Sequence, residues 1–319
     1  MAEKTKLSLI VPVLNEEETV ASFLDESTKA IEQAMELMGP AATAEWIFVN
    51  DGSTDATEVV LRTRAEQDPR IKLINLSRNF GKEAALAAGL DHATGDAVVP
   101  IDVDLQDPPE VIVQMVQAWL DGAQVVNAKR VDRSADTWGK RTTATWFYRL
   151  YNRFADQPIP ENVGDFRLLG REAVTVIRRL PESSRFNKGL FNWVGFKVET
   201  IEYQRAARHA GQTKWRAWPL WNLALDGITA STTVPLRMWT YIGAVIAGLA
   251  FAYAVFLIIY TLVLGADTPG FASIMVAVLM LGGLQLLSLG IMGEYVGRIA
   301  TEVRGRPLYV VASKVGLED

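Results

Sequence analysis

The chain of 319 residues contains no cysteine and only two histidines, His92 and His209. Without thiols there is no disulfide, no thiolate nucleophile and no cysteine-bound metal. Two histidines cannot build a histidine-rich zinc site, and each reads as an ordinary helix or loop residue. An excess of basic charge is missing as well. Lys and Arg number 32 against 37 Asp and Glu, a formal net charge of -5, whereas a nucleic-acid binder presents a basic face. No internal repeat and no low-complexity segment is found. No signal peptide is read, since the first apolar stretch, ending at Val13, is a short strand after a polar start.

What the chain does have is apolar mass: 49% of its residues are hydrophobic and its mean hydropathy is +0.11. The excess is localised. No charged residue occurs from Met238 to Leu264 or from Phe271 to Gly293, and each run exceeds the roughly 20 residues a helix needs to cross a bilayer. Both are read as transmembrane helices. The alternative, a buried hairpin in a soluble core, would need two fully apolar helices of unusual length. The link Gly265–Gly270 carries no Lys or Arg, whereas Lys214, Arg216 and Arg237 precede the first run and Arg298, Arg304 and Arg306 follow the second. The positive-inside rule then places both termini in the cytoplasm. Gly282, Gly283, Gly290 and Gly293 permit close helix contacts, and a homo-oligomer is expected.

Strand and helix signals alternate from Leu7 to about Leu120 and continue through Ala123 to Lys129, which predicts an α/β domain with a largely parallel sheet. Three buried-strand patterns run into polar clusters: Lys6–Val13 into Leu14-Asn15-Glu16-Glu17, Trp46–Asn50 into Asp51-Gly52-Ser53-Thr54-Asp55, and Ala97–Ile101 into Asp102-Val103-Asp104-Leu105-Gln106-Asp107. Open α/β sheets bind ligands at the carboxyl ends of their strands. Asp102 and Asp104 are hard oxygen ligands suited to Mg²⁺ or Mn²⁺, ions that take one or two protein carboxylates and complete their shell with water and substrate phosphates. This suggests an enzyme acting on a nucleotide diphosphate. Asp51 can accept hydrogen bonds from a base or ribose, whereas Gly52 and Ser53 fit a tight turn as well as direct contact. Asp107-Pro108-Pro109-Glu110 also fits a helix start. Arg78 and Lys82, around the start of a helix over Glu83–His92, suit phosphate or a base edge, or simply a solvated helix end. In the strand Val163–Leu169, Asp165 and Arg167 share a face; Arg167 suits bidentate phosphate binding, and a structural Asp–Arg pair is the competing account.

Residues 130–162 are rich in basic and aromatic types and are read as helices over the open edge of the site. From Arg205 to Pro235, Trp215, Trp218 and Trp221 repeat every three residues beside Arg205, Arg208 and Lys214. Indoles favour the membrane interface, so this segment is read as interfacial helices whose basic cluster lies where a lipid-borne phosphate would be held. The resulting division is a cytoplasmic catalytic domain over 1–204, interfacial helices over 205–235, two membrane helices over 236–297 and a cytoplasmic tail over 298–319.

The motifs Ser8–Glu17, Asn50–Asp55 and Asp102–Pro108 together with two C-terminal spans resemble the family 2, inverting, GT-A-fold polyprenyl-phosphate glycosyltransferases. Dolichyl-phosphate mannose synthases share the catalytic portion. Arg78–Glu83, Gly89–Asp96, Glu161–Arg167 and Pro235–Gly243 narrow the resemblance to bactoprenol glucosyltransferases. That resemblance implies a Rossmann-like GT-A domain, Asp104 and Gln106 as ligands of Mg²⁺ or Mn²⁺, and Asp102 on the nucleotide or sugar side. It further implies a uridine pocket lined by Pro12, Asn15, Glu16 and Asp51, with Lys82, Arg167, Arg205 and Lys214 toward phosphates. The implied reaction moves glucose from UDP-glucose to undecaprenyl phosphate at the inner face of the bacterial plasma membrane, for O-antigen modification. UDP-N-acetylglucosamine, UDP-galactose and GDP-mannose are alternative donors. A flippase and a later glycosyltransferase are the implied functional partners.

Overall fold

A computed structural model describes residues 5–131, 163–180, 191, 195–204, 234–264 and 270–317. The readings made above for residues 132–162 and 205–233, including Arg205, Lys214 and the Trp repeat, lie outside them. The described strands are β1 (Lys6–Val13), β2 (Thr43–Asn50), β3 (Ile71–Leu76), β4 (Ala97–Pro100), β5 (Val125–Arg130), β6 (Val163–Gly170), β7 (Val198–Tyr203) and β8 (Val311–Val315). The helices are α1 (Val20–Met38), α2 (Thr57–Gln67), α3 (Lys82–His92), α4 (Val111–Leu120), α5 (Arg171–Arg178), α6 (Val234–Leu264) and α7 (Phe271–Val303).

The strands form one eight-stranded sheet in the order β7-β5-β6-β4-β1-β2-β3-β8. β1 pairs in parallel with β2 on one side and β4 on the other, so the chain reverses its direction of travel across the sheet between β1 and β4. Such a switch point splays the loops after the two strands apart and leaves a crevice at their carboxyl ends. The central strands are continuous apolar runs because both faces are covered. Leu7, Leu9 and Val11 face one core with Phe23, Trp46 and Phe48, while Ile10, Ile47 and Val49 face the other with Leu86, Leu90 and Val174. Gly89 lets α3 lie directly on β1, since a Cβ there would stand 2.2 Å from Ile10 Cγ2.

Polar residues at the opposite, N-terminal edge are tied into one cluster. Glu45, whose side chain is 1% exposed, lies 2.6 Å from Lys6 Nζ and also pairs with Lys72. It accepts further hydrogen bonds from Ser8 Oγ at 2.5 Å and the Thr94 amide at 3.0 Å. Burial alone would raise the Glu45 pKa, but the hydrogen bonds from Lys6, Lys72, Ser8 and Thr94 outweigh it and hold the carboxyl at about 2.

α6 and α7 extend for 31 and 33 residues. Among the residues described in full, no helix is long and apolar enough to cross a membrane. The sequence of the two helices nonetheless carries no charge between Arg237 and Asp267 or between Asp267 and Glu294. The segment 298–319, set apart above as a tail, does not hang free of the domain: Val311–Val315 pairs antiparallel with β3.

Candidate active site

The loops after β1 and β2 are laced together by side chains at the carboxyl edge. Asn15 has φ 57, a left-handed conformation that Asn tolerates. Its amide donates to Ser53 Oγ at 3.0 Å, and its Oδ1 accepts from the Thr54 amide at 2.8 Å. The Glu16 amide donates to Thr57 Oγ1, and Glu17 Oε2 accepts from the Ala56 amide at 2.7 Å. Pro12 is half-buried beneath them.

Asp51 is 4% exposed and gives one oxygen to the Phe80 amide at 2.7 Å and the other to the Gly81 amide at 2.8 Å. Burial pushes its pKa up, and these two amides only partly oppose that. Asp51 thereby ties the loop after β3 to the loop after β2. Gly52 makes the approach possible: it has φ 72, and a Cβ would stand 2.6 Å from the Asn79 amide nitrogen. The Arg78 guanidinium stacks 3.9 Å above the Phe80 ring.

Across the crevice, α3 begins at Lys82, whose ammonium lies 2.7 Å from Asp102 and 3.1 Å from Asp165. One cation thus brings together residues from three elements that the sequence left separate. The two carboxylates outweigh burial and raise the Lys82 pKa, so it stays charged across the physiological range. Asp104 and Gln106 are half-buried at the same edge, and the Gln106 amide donates to Asp104 Oδ1 at 3.2 Å. Between them Leu105 has φ 54, a conformation costing of order 1–3 kcal/mol for a residue with a branched side chain.

The donor set fits a hard divalent cation in kind, with carboxylate and amide oxygens on a short loop. Among the described residues no three ionisable ligand side chains gather at one point.

Arg167 is 3% exposed. Its guanidinium donates to the Gly164 carbonyl at 2.7 Å and lies 4.6 Å over the Phe191 ring. Asp107-Pro108-Pro109-Glu110 leads into α4 as read: Glu110 directly precedes its first residue, Val111, and the Val111 and Ile112 amides donate to the Pro108 and Pro109 carbonyls. Asp107 itself is 3% exposed and accepts from Tyr203 Oη at 2.5 Å. Arg130 Nε donates to the same Tyr203 oxygen at 3.1 Å. Burial, then the Asp107 charge, raises the Tyr203 pKa well above that of a free phenol. Arg130, Tyr203 and Asp107 brace the far end of the loop bearing Asp104 and Gln106. Sequence reasoning missed this triad because its members are 73 and 96 residues apart and no local pattern joins them.

Comparison with known proteins places this geometry in context. The profile described as Glycosyl transferase family 2 matches residues 8–178, and that described as GtrB C-terminal hairpin matches residues 234–299. The chain is 51% identical over 306 residues to the SfII prophage-derived bactoprenol glucosyl transferase of Shigella flexneri, covering 96% of this chain and 97% of that one. It is 50% identical over 306 residues to a prophage bactoprenol glucosyl transferase homolog of Escherichia coli K12, covering 96% and 98%. It is also 40% identical over 319 residues to the uncharacterized glycosyltransferase YkcC of Bacillus subtilis 168, covering 100% and 97%.

Proposed function

The chain belongs to glycosyltransferase family 2, in the group that carries the GtrB C-terminal hairpin, and from that premise we propose that it transfers glucose from UDP-glucose to a polyprenyl phosphate. It is a glycosyltransferase with an α/β, Rossmann-like GT-A domain. The observation that carries the finer reading is half-identity over nearly the whole length, hairpin included, to proteins named bactoprenol glucosyl transferases.

In this reading the loops held by Asn15, Asp51 and Gly52 receive the uridine, with Pro12 and Glu16 lining the pocket. Asp104 and Gln106 hold Mg²⁺ or Mn²⁺, which when bound neutralises charge on the departing diphosphate. Lys82 adds a permanent positive charge beside Asp102 and Asp165, near the sugar. Arg167 orients β6 and thereby Asp165; Arg205 and Lys214 are the cations assigned to the lipid phosphate.

The acceptor is a phosphate monoester whose second pKa is near 6, so it is already largely dianionic at neutral pH. Its oxygen forms a bond to the anomeric carbon as the bond from that carbon to the β-phosphate oxygen breaks, releasing UDP and inverting an α-donor to a β-product. No proton need be removed from the nucleophile. The protein's task is alignment and charge stabilisation.

The uncharged stretches of α6 and α7 support a membrane hairpin, with the catalytic domain and both termini on the cytoplasmic side of a bacterial plasma membrane. The helix glycines support a homo-oligomer. A flippase and a later transferase acting on a surface glycan such as O-antigen would consume the product.

The test is label transfer from a panel of UDP- and GDP-sugars to undecaprenyl phosphate by the purified protein with Mg²⁺ or Mn²⁺. Organic-phase label from UDP-glucose that vanishes with EDTA, and falls at least about 100-fold in Asp104→Ala with an unchanged melting temperature, is the expected result. Label from a different donor would replace the sugar, and full activity in Asp104→Ala would overturn its assignment.

A further inference from the structure

The strand that closes the sheet comes from the far end of the chain. After α7 ends at Val303, the segment returns to the catalytic domain: Tyr309 Oη donates to Asp91 at 2.8 Å, the Ser77 amide donates to the Val310 carbonyl at 2.9 Å, and β8 pairs with β3. The register shifts between Asn75 and Leu76, opposite Ser313 and Val311. Irregularities of this kind re-aim a side chain and occur next to active sites.

Asn75 is the residue so placed, and it is 4% exposed. Its Nδ2 donates to Ser313 Oγ at 2.9 Å and to Glu58 Oε1 at 3.0 Å. Its Oδ1 accepts from Asn50 Nδ2 at 2.9 Å, and Asn50 Oδ1 in turn accepts from the Ser53 amide at 3.0 Å. Ser53 Oγ receives the amide of Asn15, the residue held at positive φ. The donors all point one way, from the loop after β2 toward the tail, and buried hydrogen bonds in series polarise one another.

We propose that the C-terminal strand is a support of the nucleotide pocket, with Asn75 and Ser313 as positioning residues for donor binding. This rests on the reading that the loops after β1 and β2 receive the uridine. α7 ends at Val303 and β8 begins at Val311, so the backbone leaving the helical hairpin leads straight into the strand on which this hydrogen-bonded chain ends. Removing a link leaves a buried amide unsatisfied, and part of that loss falls on Ser53 and Asn15.

The test uses the full chain in detergent micelles. UDP binding is measured by titration calorimetry with Mg²⁺ present, and KM is measured separately for UDP-glucose and undecaprenyl phosphate. Asn75→Ala should weaken UDP binding about tenfold and raise the donor KM alike, leaving the acceptor KM unchanged. Ser313→Ala, a change at a half-buried position outside the apolar cores, should weaken UDP about threefold, and Ser313→Thr, which keeps the hydroxyl, should restore it. Unchanged UDP affinity in Ser313→Ala and Asn75→Ala, with only a lowered melting temperature, would overturn the inference and leave the donor reading standing. A wild-type protein that bound no UDP would remove the donor reading and this inference with it.

Discussion

Glu45 lies at the sheet edge remote from the crevice, and its consequences are for stability rather than turnover. Its carboxyl is held at about 2, below the 4.5 of a free glutamate. A depressed acid contributes stability that is fully present above the unfolded pKa and is lost as pH falls through the folded one. The window is therefore pH 4.5 down to about 2, and the contribution above it is about 3 kcal/mol, taking 1.36 kcal/mol per unit. Glu45→Gln should lower unfolding free energy by about that amount at pH 6. The difference between wild type and variant should shrink as pH falls from 4.5 toward 2. Denaturant titrations of both proteins over this range check it, and a difference independent of pH would refute the assignment of the cause.

At the scale of elements, contacts between neighbours decide what substitution costs. α3 is docked on β1 through Gly89, where a Cβ would meet Ile10 Cγ2 at 2.2 Å. Ile10 is fully buried and cannot swing into water. Gly89→Ala adds helix propensity worth up to about 1 kcal/mol, but overpacking typically costs about 1–3 kcal/mol, so the net change should be a loss of about 1–2 kcal/mol. Ile10→Ala should partly relieve it, making the double variant less destabilised than the sum of the two singles. Strict additivity in melting measurements would remove this account of the glycine.

The elements legible in the sequence were those whose burial is two-sided. β1, β2 and β4 are apolar runs ending in acids, and β6 falls at residues 163–170 against an expected 163–169. β7, Val-Glu-Thr-Ile-Glu-Tyr, and β8, Val-Ala-Ser-Lys-Val, lie in the outer part of the sheet with mixed composition, and the pattern that identifies a buried strand is absent there. The site was legible as motifs but not as contacts. Asp102, Asp104 and Gln106 announce themselves by spacing, whereas the Lys82 bridge to Asp102 and Asp165 exists only once three elements converge. Asp51 was legible as an important acid, yet its two oxygens hold backbone amides, a role that composition cannot distinguish from holding a ligand.

For the molecule as a whole, the proposed membrane hairpin makes a claim about sidedness that can be measured. The proposed hairpin puts the link Gly265–Gly270 outside and the catalytic sheet inside, because basic residues flank the far ends of α6 and α7 and are missing from the link. The absence of cysteine makes this directly measurable, since any introduced thiol is the only one present. Thr268→Cys in the link should react with a membrane-impermeant maleimide in intact spheroplasts. Thr63→Cys on the exposed side of α2 should react only after lysis. The reverse pattern would invert the topology and place the crevice on the side where nucleotide sugars are not supplied. Labelling of neither site in intact cells, and of both after lysis, would mean that α6 and α7 do not span. The β3–β8 pairing constrains the outcome further, because the strand after α7 lies in the same sheet as β1 and β2. The residues following the hairpin must therefore share a compartment with the residues preceding it, which two spans satisfy and one span does not.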